Sequence, residues 1–305
     1  MENKENKNNK YFHIPVMLKE VIEELDLKEG ENYIDCTLGG AGYTASIAEK
    51  IGPKGKVLAL DLDDLALRNA QEILKNKGLK NVTLVKSNFK YLEEVSDKFF
   101  KKEEKFAGIV FDLGLSSAQL DDESRGFSFK GNRPLNMAFG EGENVSTEEI
   151  VNSYSLEHLT QIFTDFGEEK KAYHIAKKIV EERKKGRIVN TNDLVKIIEE
   201  VKPFNFRSKI HPATKIFQAL RMETNEELKV LSQALIKAEN KLKKGGRLVV
   251  VSFHSGEDRI VKNFLRDRKN ISFKILHKKP IACSEEEAYN NSRARSAKLR
   301  SAEKI

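Results

Sequence analysis

Asp35-Cys36-Thr37-Leu38-Gly39-Gly40-Ala41-Gly42 is the stretch of this 305-residue chain that decides its fold. The apolar run that includes its start, Tyr33 to Thr37, predicts a short strand, and the periodic segment after it, Tyr43 to Ile51, predicts a helix. Glycines at such a turn let the backbone approach a ligand, and the helix N-terminus offers unpaired N–H groups. The stretch therefore predicts a βα unit with a nucleotide-type site.

Further short β-branched or Leu-rich runs alternate with helical patterns on both sides of this unit. Alternation of this kind predicts an α/β domain whose mostly parallel sheet is covered by helices on both faces. The predicted strands are Tyr33 to Thr37, Lys56 to Asp61, Val82 to Lys86, Gly108 to Leu113, Arg247 to Phe253 and Ile271 to Leu276.

A long interruption separates the fourth and fifth of these strands. It holds about 130 residues, whereas a parallel crossover with its helix needs only about 10 to 12. Its helical periodicity predicts an inserted small helical domain. We therefore expect a first part of the sheet domain at residues 1–120, the insertion at 121–206 and the second part at 207–305. Leu228 to Leu242 is expected to be the sheet's own crossover helix, and both chain ends are expected to be mobile.

Composition restricts the class of protein. The chain has 54 Lys and Arg against 47 Asp and Glu, a net charge of +7 that suits a polyanionic partner but is also explained by solubility alone. Its two cysteines, Cys36 and Cys283, form neither a disulfide framework nor a zinc pattern, and no metal site is predicted. No stretch is long and apolar enough for a membrane span, so a cytoplasmic protein is expected.

Two cofactors fit the glycine-rich turn. Gly40-x-Gly42-x-x-Ala45 followed by Asp61 at the end of the next strand fits the dinucleotide fingerprint, in which a carboxylate binds the ribose hydroxyls. S-adenosylmethionine instead needs an acceptor for its ammonium group, and Asp35 lies in the strand just before the turn. Asp35 favours the methyl donor.

Two more strand ends belong to the same predicted pocket, because open α/β sheets bind ligands at the carboxyl edge of their strands. Phe89 follows the third strand and is suited equally to an adenine face and to the core. Asp112 ends the fourth strand, where it can accept hydrogen bonds from an amino group.

A series of segments in fixed order matches the motifs of one known family: His13-Ile14-Pro15-Val16-Met17, the Gly39 to Thr44 loop, Phe111 to Asp121, Arg125-Gly126-Phe127-Ser128-Phe129, His211-Pro212-Ala213-Thr214, Phe217 to Arg221, Ser252-Phe253-His254-Ser255 with Glu257-Asp258-Arg259, and Ser292-Arg293-Ala294-Arg295-Ser296. From about His13 to its C-terminus the chain thus resembles the bacterial 16S ribosomal RNA cytosine-N4 methyltransferase family.

This resemblance implies a class I S-adenosylmethionine-dependent methyltransferase fold, Rossmann-like with a mostly parallel sheet, carrying a helical insertion for substrate recognition. It implies methylation of the exocyclic N4 amine of a decoding-centre cytosine. The implied cofactor residues, with Asp35 and Gly39 added from the reading above, are Asp35, Gly39, Ala41, Gly42, Tyr43, Asp61, Phe89, Asp112 and Gln119.

The chain departs from the family pattern at three places, the smallest of which is Gly256, where Leu is usual. Ala41 and Tyr43 stand where the family usually has Gly and His, which should alter only the detail of cofactor binding. Asn132, Asn136 and Ala138 replace two carboxylates and an arginine, which puts the substrate-side geometry in question, because an amide accepts a hydrogen bond but neither takes a proton nor pairs with a cation.

Candidate substrate residues follow from chemistry and position. Asp112 or Asn136 could accept the amino protons of the cytosine, and His254 is weighed evenly between a substrate contact and a structural role. Phe127 and Phe129 could stack on a flipped base, although packing is at least as expected. Arg207, Lys209, His211, Arg293 and Arg295 are candidate RNA contacts.

Three hypotheses remain open from sequence. The first is the rRNA methyltransferase, acting on 16S ribosomal RNA, expected within the small ribosomal subunit, with a homodimer as a further expectation. The second is a catalytically altered RNA-binding assembly factor, which the amides Asn132 and Asn136 keep open. The third is a nicotinamide-dependent oxidoreductase that uses the same glycine-rich loop.

Overall fold

A computed structural model describes residues 15–115, 125–129, 131–140, 145–205 and 210–305. Contacts divide the chain into two compact units. The first comprises Met1–Ala118 with Gln233–Ile305, and the second comprises Gln119–Ser232. We call them the sheet unit and the helical unit.

Within the described residues the sheet unit holds the strands and the helices that cover them. The strands are β1 Tyr33–Asp35, β2 Val57–Asp61, β3 Val82–Lys86, β4 Phe106–Asp112, β5 Leu242–Ser252, β6 Phe273–Ile275, β7 Ile281–Ala282 and β8 Lys298–Lys304. The helices that lie wholly within this unit are α1 Leu18–Leu25, α2 Gly42–Ile51, α3 Asp64–Asn76, α4 Leu92–Phe99, α11 Ser255–Asp267 and α12 Glu285–Asn290.

The described strands form one mixed sheet in the order β3-β2-β1-β4-β5-β8-β6, with β7 also paired to β8. β1 to β5 run parallel, so the carboxyl ends of five neighbouring strands meet at one edge. The predicted mostly parallel, Rossmann-like sheet is confirmed. The sheet is buried on both faces, which explains why Tyr33, Ile34 and Leu58 are among its largest fully buried side chains.

The C-terminal residues were expected to be mobile, and that expectation is wrong. β8 runs antiparallel between β5 and the strands β6 and β7, with Leu299 and Ala302 fully buried. A terminal segment that supplies a sheet with hydrogen bonds on both sides is fixed in place. Its mixed charged and apolar sequence concealed this role.

In the helical unit the described helices are α5 Thr147–Ser153, α6 Leu156–Asp165, α7 Ala172–Glu182, α8 Thr191–Val201 and α9 Ala213–Thr224. Side chains cap three of them, since Ser146, Ser155 and Asn190 each accept a first-turn backbone N–H. The unit extends to Ser232 rather than ending at residue 206, because α9 packs on α5, α6 and α8. α10 covers Glu227–Lys241, where the crossover helix was expected.

Over the part of the chain that the structure describes, no helix is both long enough and apolar enough to cross a membrane.

Candidate functional site

A fully buried aspartate shapes the glycine-rich loop after β1. Asp35 Oδ1 accepts a hydrogen bond from the backbone N–H of Thr37 at 3.1 Å, and Asp35 Oδ2 accepts one from the Thr44 hydroxyl at 2.6 Å. Burial raises the pKa of Asp35, and these hydrogen bonds oppose the rise. Both oxygens therefore already organise the turn, which the sequence analysis did not anticipate when it assigned Asp35 to the ammonium of a ligand.

Positive backbone angles follow along the same loop. Gly39 has φ of +47°, and Ala41, the N-cap of α2, has φ of +61°. An L-residue in this left-handed region carries a steric cost that glycine avoids. The departure from glycine at Ala41 is thus a strained position rather than a neutral exchange.

The start of α2 is held against the segment before α1. A Cβ added at Gly42 would lie 2.5 Å from Pro15 Cγ, so only glycine permits this approach. The Tyr43 hydroxyl donates to the Val16 carbonyl, and the Met17 N–H donates to Glu287 Oε1 at 2.7 Å. Gly42 and Tyr43 therefore have a clear packing role in addition to their predicted role at the cofactor.

Asp61 lies across the loop at the end of β2. Its Oδ2 accepts a hydrogen bond from the Gly39 N–H at 2.9 Å, and its Oδ1 accepts one from the Asp63 N–H at 2.9 Å. Burial has the largest effect and raises the pKa of Asp61 to about 6, while the hydrogen bonds from the two backbone N–H groups act to lower this pKa. The carboxylate thus lies beside the glycine-rich turn, where the sequence placed it.

Phe89 begins a short 3-10 helix after β3. Its ring contacts Phe111 edge-on, with centroids 5.6 Å apart and planes at 88°, while the side chain stays only partly buried. The ring therefore packs against Phe111 and remains partly exposed at the position that follows β3.

Asp112 ends β4 and has the most unusual environment. Its backbone N–H donates to Thr37 Oγ1 at 2.6 Å, which ties it to the glycine-rich loop. Burial raises the pKa of its carboxyl well above the usual value, the nearby charge of Asp35 adds to this, and Arg293 opposes it. Among the described residues its buried Oδ1 has no hydrogen-bond partner. Because buried polar atoms are normally satisfied, this oxygen indicates a missing donor.

His254 is the N-cap of α11. Its Nδ1 accepts a hydrogen bond from the Glu257 N–H at 3.3 Å, and Glu257 Oε2 in return accepts from the N–H groups of Phe253 and His254. This capping box gives the imidazole a structural role. A contact between His254 and the substrate stays a prediction.

The candidate RNA contacts near the C-terminus bond to backbone. Arg293 donates to the Leu115 carbonyl at 3.0 Å, on the segment that follows Asp112, and Arg295 donates to the Ala288 carbonyl at 2.9 Å. Both side chains therefore stabilise the local chain path, whether or not they also contact phosphate.

The aromatic candidates pack inside the helical unit. Phe127 is buried and stacks on Phe139 at 5.7 Å. Phe129 stacks on His211 at 4.7 Å, and the His211 Nε2 lies 3.1 Å from Glu199 Oε1. Both rings therefore have packing contacts, which the sequence analysis gave as the alternative to stacking on a flipped base.

Comparisons with known proteins show which family this chain belongs to. The family model of the MraW methylase family matches residues 10–305. A relative from Clostridium botulinum (strain Loch Maree / Type A3), named ribosomal RNA small subunit methyltransferase H, is 42% identical over 97% of this chain and 99% of its own. Relatives of the same name from Rickettsia massiliae and Fusobacterium nucleatum are 44% and 40% identical, each covering 96% of this chain and 98% and 97% of their own.

The chain belongs to the MraW methylase family. Its sheet is the class I methyltransferase sheet, and its cofactor is S-adenosylmethionine. The oxidoreductase hypothesis is therefore wrong. The dinucleotide fingerprint misled because a glycine-rich turn followed by a strand-end carboxylate serves the ribose of either cofactor.

The structure describes some of the remaining residues predicted for this methylase and not others. Three of them lie outside the described residues, namely Gln119, Arg207 and Lys209. Asn132 and Asn136 are exposed in the helical unit, and the Asn136 carbonyl accepts hydrogen bonds from the N–H and hydroxyl of Thr147.

The sequence analysis missed the polar residues that support this site. Thr37 and Thr44 bind the two aspartates of β1 and β4, and Glu257 caps α11. The available signal was the presence of threonines two and nine positions after Asp35, because an aspartate in a strand that is covered on both faces requires hydrogen-bond donors close by.

Proposed function

We propose that this S-adenosylmethionine-dependent methyltransferase methylates the exocyclic N4 amine of a decoding-centre cytosine in the 16S RNA of the small ribosomal subunit. Family membership gives the reaction class, and the relatives' name gives the RNA. The observation that carries the choice of an amino group is the buried Asp112 Oδ1 at the carboxyl edge of the sheet, which has no hydrogen-bond partner in the described part of the chain. A carboxyl oxygen in that position suits an N–H donor.

The residues around the glycine-rich turn fit a methyl donor. We assign Asp61 to the ribose hydroxyls, Phe89 to an adenine face, and the Gly39 to Tyr43 turn to the amino-acid end. Asp35 acts here through Thr37 and Thr44, whose positions it fixes. Gln119 is assigned by the family resemblance alone.

In this proposal Asp112 accepts the hydrogen bond, and then the proton, of the cytosine amine. When bound, S-adenosylmethionine supplies an electrophilic methyl group. The lone pair of the cytosine amine is conjugated with its ring, so a hydrogen bond from the amine to Asp112 Oδ1 makes the nitrogen more nucleophilic and fixes its direction. The raised pKa of Asp112 suits a group that holds the amine proton once the N–C bond has formed. Asn136 and His254 stay secondary candidates.

The experiment is incubation of the purified protein with isotope-labelled S-adenosylmethionine and small ribosomal subunits that lack base methylation, followed by nucleoside mass spectrometry. We expect labelled N4-methylcytidine. Label on another nucleoside would show that the N4 amine of cytosine is not the group that is methylated. Cofactor binding without any label would favour the assembly-factor hypothesis, and Asn132 and Asn136 would then be the first positions to change back to the family's carboxylates.

Asp112→Asn and the exposed Asp267→Asn make a matched pair in this assay. Both remove one carboxylate from the sheet unit, but only the first removes a buried acceptor. Loss of label in the Asp112 variant alone would support the assignment of Asp112.

Three finer parts of the proposal concern context. We place the enzyme in the cytoplasm, with the assembled small subunit as its substrate, and expect a homodimer. Comparing the methylation of assembled subunits with that of deproteinised 16S RNA tests the substrate, and sedimentation equilibrium of the purified protein tests the dimer.

A further inference from the structure

Thr37 is hydrogen-bonded to both Asp35 and Asp112, the aspartates that end β1 and β4. Its backbone N–H donates to Asp35 Oδ1 at 3.1 Å, and its hydroxyl oxygen accepts the backbone N–H of Asp112 at 2.6 Å. Thr37 follows the end of β1 by two residues and is only partly buried. One residue therefore links the ends of two neighbouring strands at the edge where the glycine-rich turn begins.

The Thr37 hydroxyl continues a ladder that the backbone makes up to this point. β1 and β4 run parallel, and the Cys36 N–H donates to the Val110 carbonyl at 2.9 Å. Two residues further along β4, the Asp112 N–H donates to a side chain instead. A hydrogen bond to a side chain is lost by one substitution, whereas a bond between backbones is not. The path of β4 at Asp112 therefore depends on the residue type at position 37.

Two features fix the direction of this hydroxyl. The hydrogen bond to Asp35 holds the backbone of Thr37, and a β-branched side chain is restricted in χ1. Hydrogen bonds from Thr37 and Thr44 also lower the pKa of Asp35, which favours the ionised carboxylate that accepts them. Asp35 thus acts on Asp112 through Thr37.

The direction of the Asp112 carboxyl comes from its backbone. Its Oδ1 is buried and has no hydrogen-bond partner among the described residues, so none of their side chains holds this oxygen. The backbone is held on two sides, by Thr37 at the Asp112 N–H and by the Val251 carbonyl of β5, which accepts the Leu113 N–H at 2.9 Å. Loss of the Thr37 hydroxyl would leave only the second. A displacement of about 1 Å at a reacting group can lower a rate about 100-fold.

We propose that Thr37 is a positioning residue for methyl transfer, whose hydroxyl holds Asp112 where its Oδ1 receives the N–H of the acceptor amine. This rests on the proposed function, because it takes Asp112 as the acceptor of that hydrogen bond. Thr37 also bonds Asp35 at the start of the glycine-rich turn, so it fixes the Asp112 carboxyl relative to the segment assigned to the methyl donor. It takes no proton itself and acts through Asp112.

The test compares two variants that differ by one oxygen atom. Thr37→Ser keeps the hydroxyl, and Thr37→Ala removes it. Thr83→Ala is the control, since it removes a threonine hydroxyl from β3, which is separated from β4 by β2 and β1. Small ribosomal subunits that lack base methylation are mixed with excess enzyme and saturating labelled S-adenosylmethionine, and the rate of N4-methylcytidine formation is measured in a single turnover. Calorimetry gives the Kd of the cofactor, and thermal denaturation checks folding.

Thr37→Ala should lower the single-turnover rate about 10- to 100-fold at saturating cofactor and RNA, as expected for a displaced acceptor. Thr37→Ser should keep most of the wild-type rate, and Thr83→Ala should keep all of it. In the Asp112→Asn background Thr37→Ala should cause no further loss, because two residues that act through one another are not additive. A threonine with a merely structural role would change the melting temperature and the cofactor Kd but not the rate at saturation.

A wild-type rate in Thr37→Ala, or an equal loss in the serine and alanine variants, would overturn the inference. So would a loss of the same factor in the Asp112→Asn background, since Thr37 would then act independently of Asp112. Thr37→Val, which fills the space without offering an acceptor, takes the place of Thr37→Ala in each comparison if the alanine variant does not fold. Failure of the proposed function gives a different result: the wild type would form no N4-methylcytidine, or Asp112→Asn would form it at the wild-type rate.

Discussion

Acidification from pH 8 to pH 5 should weaken the binding of S-adenosylmethionine about tenfold, through protonation of Asp61. In the ligand-free protein the pKa of this carboxyl is raised by burial to about 6. Hydroxyl donors of a ribose favour the ionised carboxylate, so binding requires Asp61 to lose its proton. Affinity should therefore be nearly constant above pH 7 and fall below pH 6.

The magnitude follows from that pKa. At pH 5 only about one molecule in eleven has Asp61 ionised, which costs about 1.4 kcal/mol of binding free energy. At pH 7 about nine in ten are ionised and the cost is negligible.

Asp61 has the opposite effect on the stability of the ligand-free fold. Its folded pKa lies above the unfolded value of 3.8, so the folded state binds the proton more tightly. Stability is therefore lost as pH rises between about 4 and 6, by at most about 3 kcal/mol from this group. Asp61→Asn should remove this part of the pH dependence from the unfolding free energy.

Calorimetric titration with S-adenosylmethionine from pH 8 to pH 5 measures the effect. Asp61→Asn should bind more weakly at pH 8 and show a flatter pH profile, whereas Asp64→Asn, an exposed carboxylate paired with Lys86, should behave as the wild type. A wild-type affinity independent of pH, or an unchanged tenfold loss in the Asp61 variant, would refute the reasoning and direct attention to Asp35 or Asp112.

Three further predictions concern single side chains. Asp112→Asn should lower the rate of RNA methylation about 10²- to 10⁴-fold, the range typical of a proton acceptor, as measured in single-turnover assays with labelled cofactor. Gly42→Ala should reduce the free energy of unfolding by about 1–3 kcal/mol because its Cβ would lie 2.5 Å from Pro15 Cγ; Gly186→Ala, with nothing within 4 Å, should change it by less than about 0.5 kcal/mol in the same denaturant titration. Ala41→Gly should stabilise the protein by about 1 kcal/mol or less, since φ is +61° there, and a lower denaturation midpoint would contradict this account.

Sequence was sufficient for the parallel part of the sheet, because hydrophobic runs, polar turns and strand-end aspartates repeat there in order. It failed at β8, because the charged residues Lys298, Arg300 and Lys304 interrupt the apolar pattern that would have indicated a strand between β5 and β6. Pairing of that kind depends on contacts across about 50 residues of sequence, and no local pattern encodes it. The Asp35 to Thr44 contact was missed for a related reason: the sequence indicates which side chains are polar but not which donors a buried carboxylate will use.

The buried charges at the sheet edge bear on a choice that the sequence alone left open. Asp35, Asp61 and Asp112 are all held with raised pKa values, and the charge of Asp35 contributes to the rise at the other two. A pyrophosphate would bring further negative charge into this group and increase the repulsion. S-adenosylmethionine brings a sulfonium and an ammonium, which favour the ionised carboxylates in the low-dielectric surroundings where charge interactions are strongest. The same glycine-rich turn can serve either ligand through its backbone, so in this chain the buried carboxylates around the turn are what favours a cationic methyl donor over a dinucleotide.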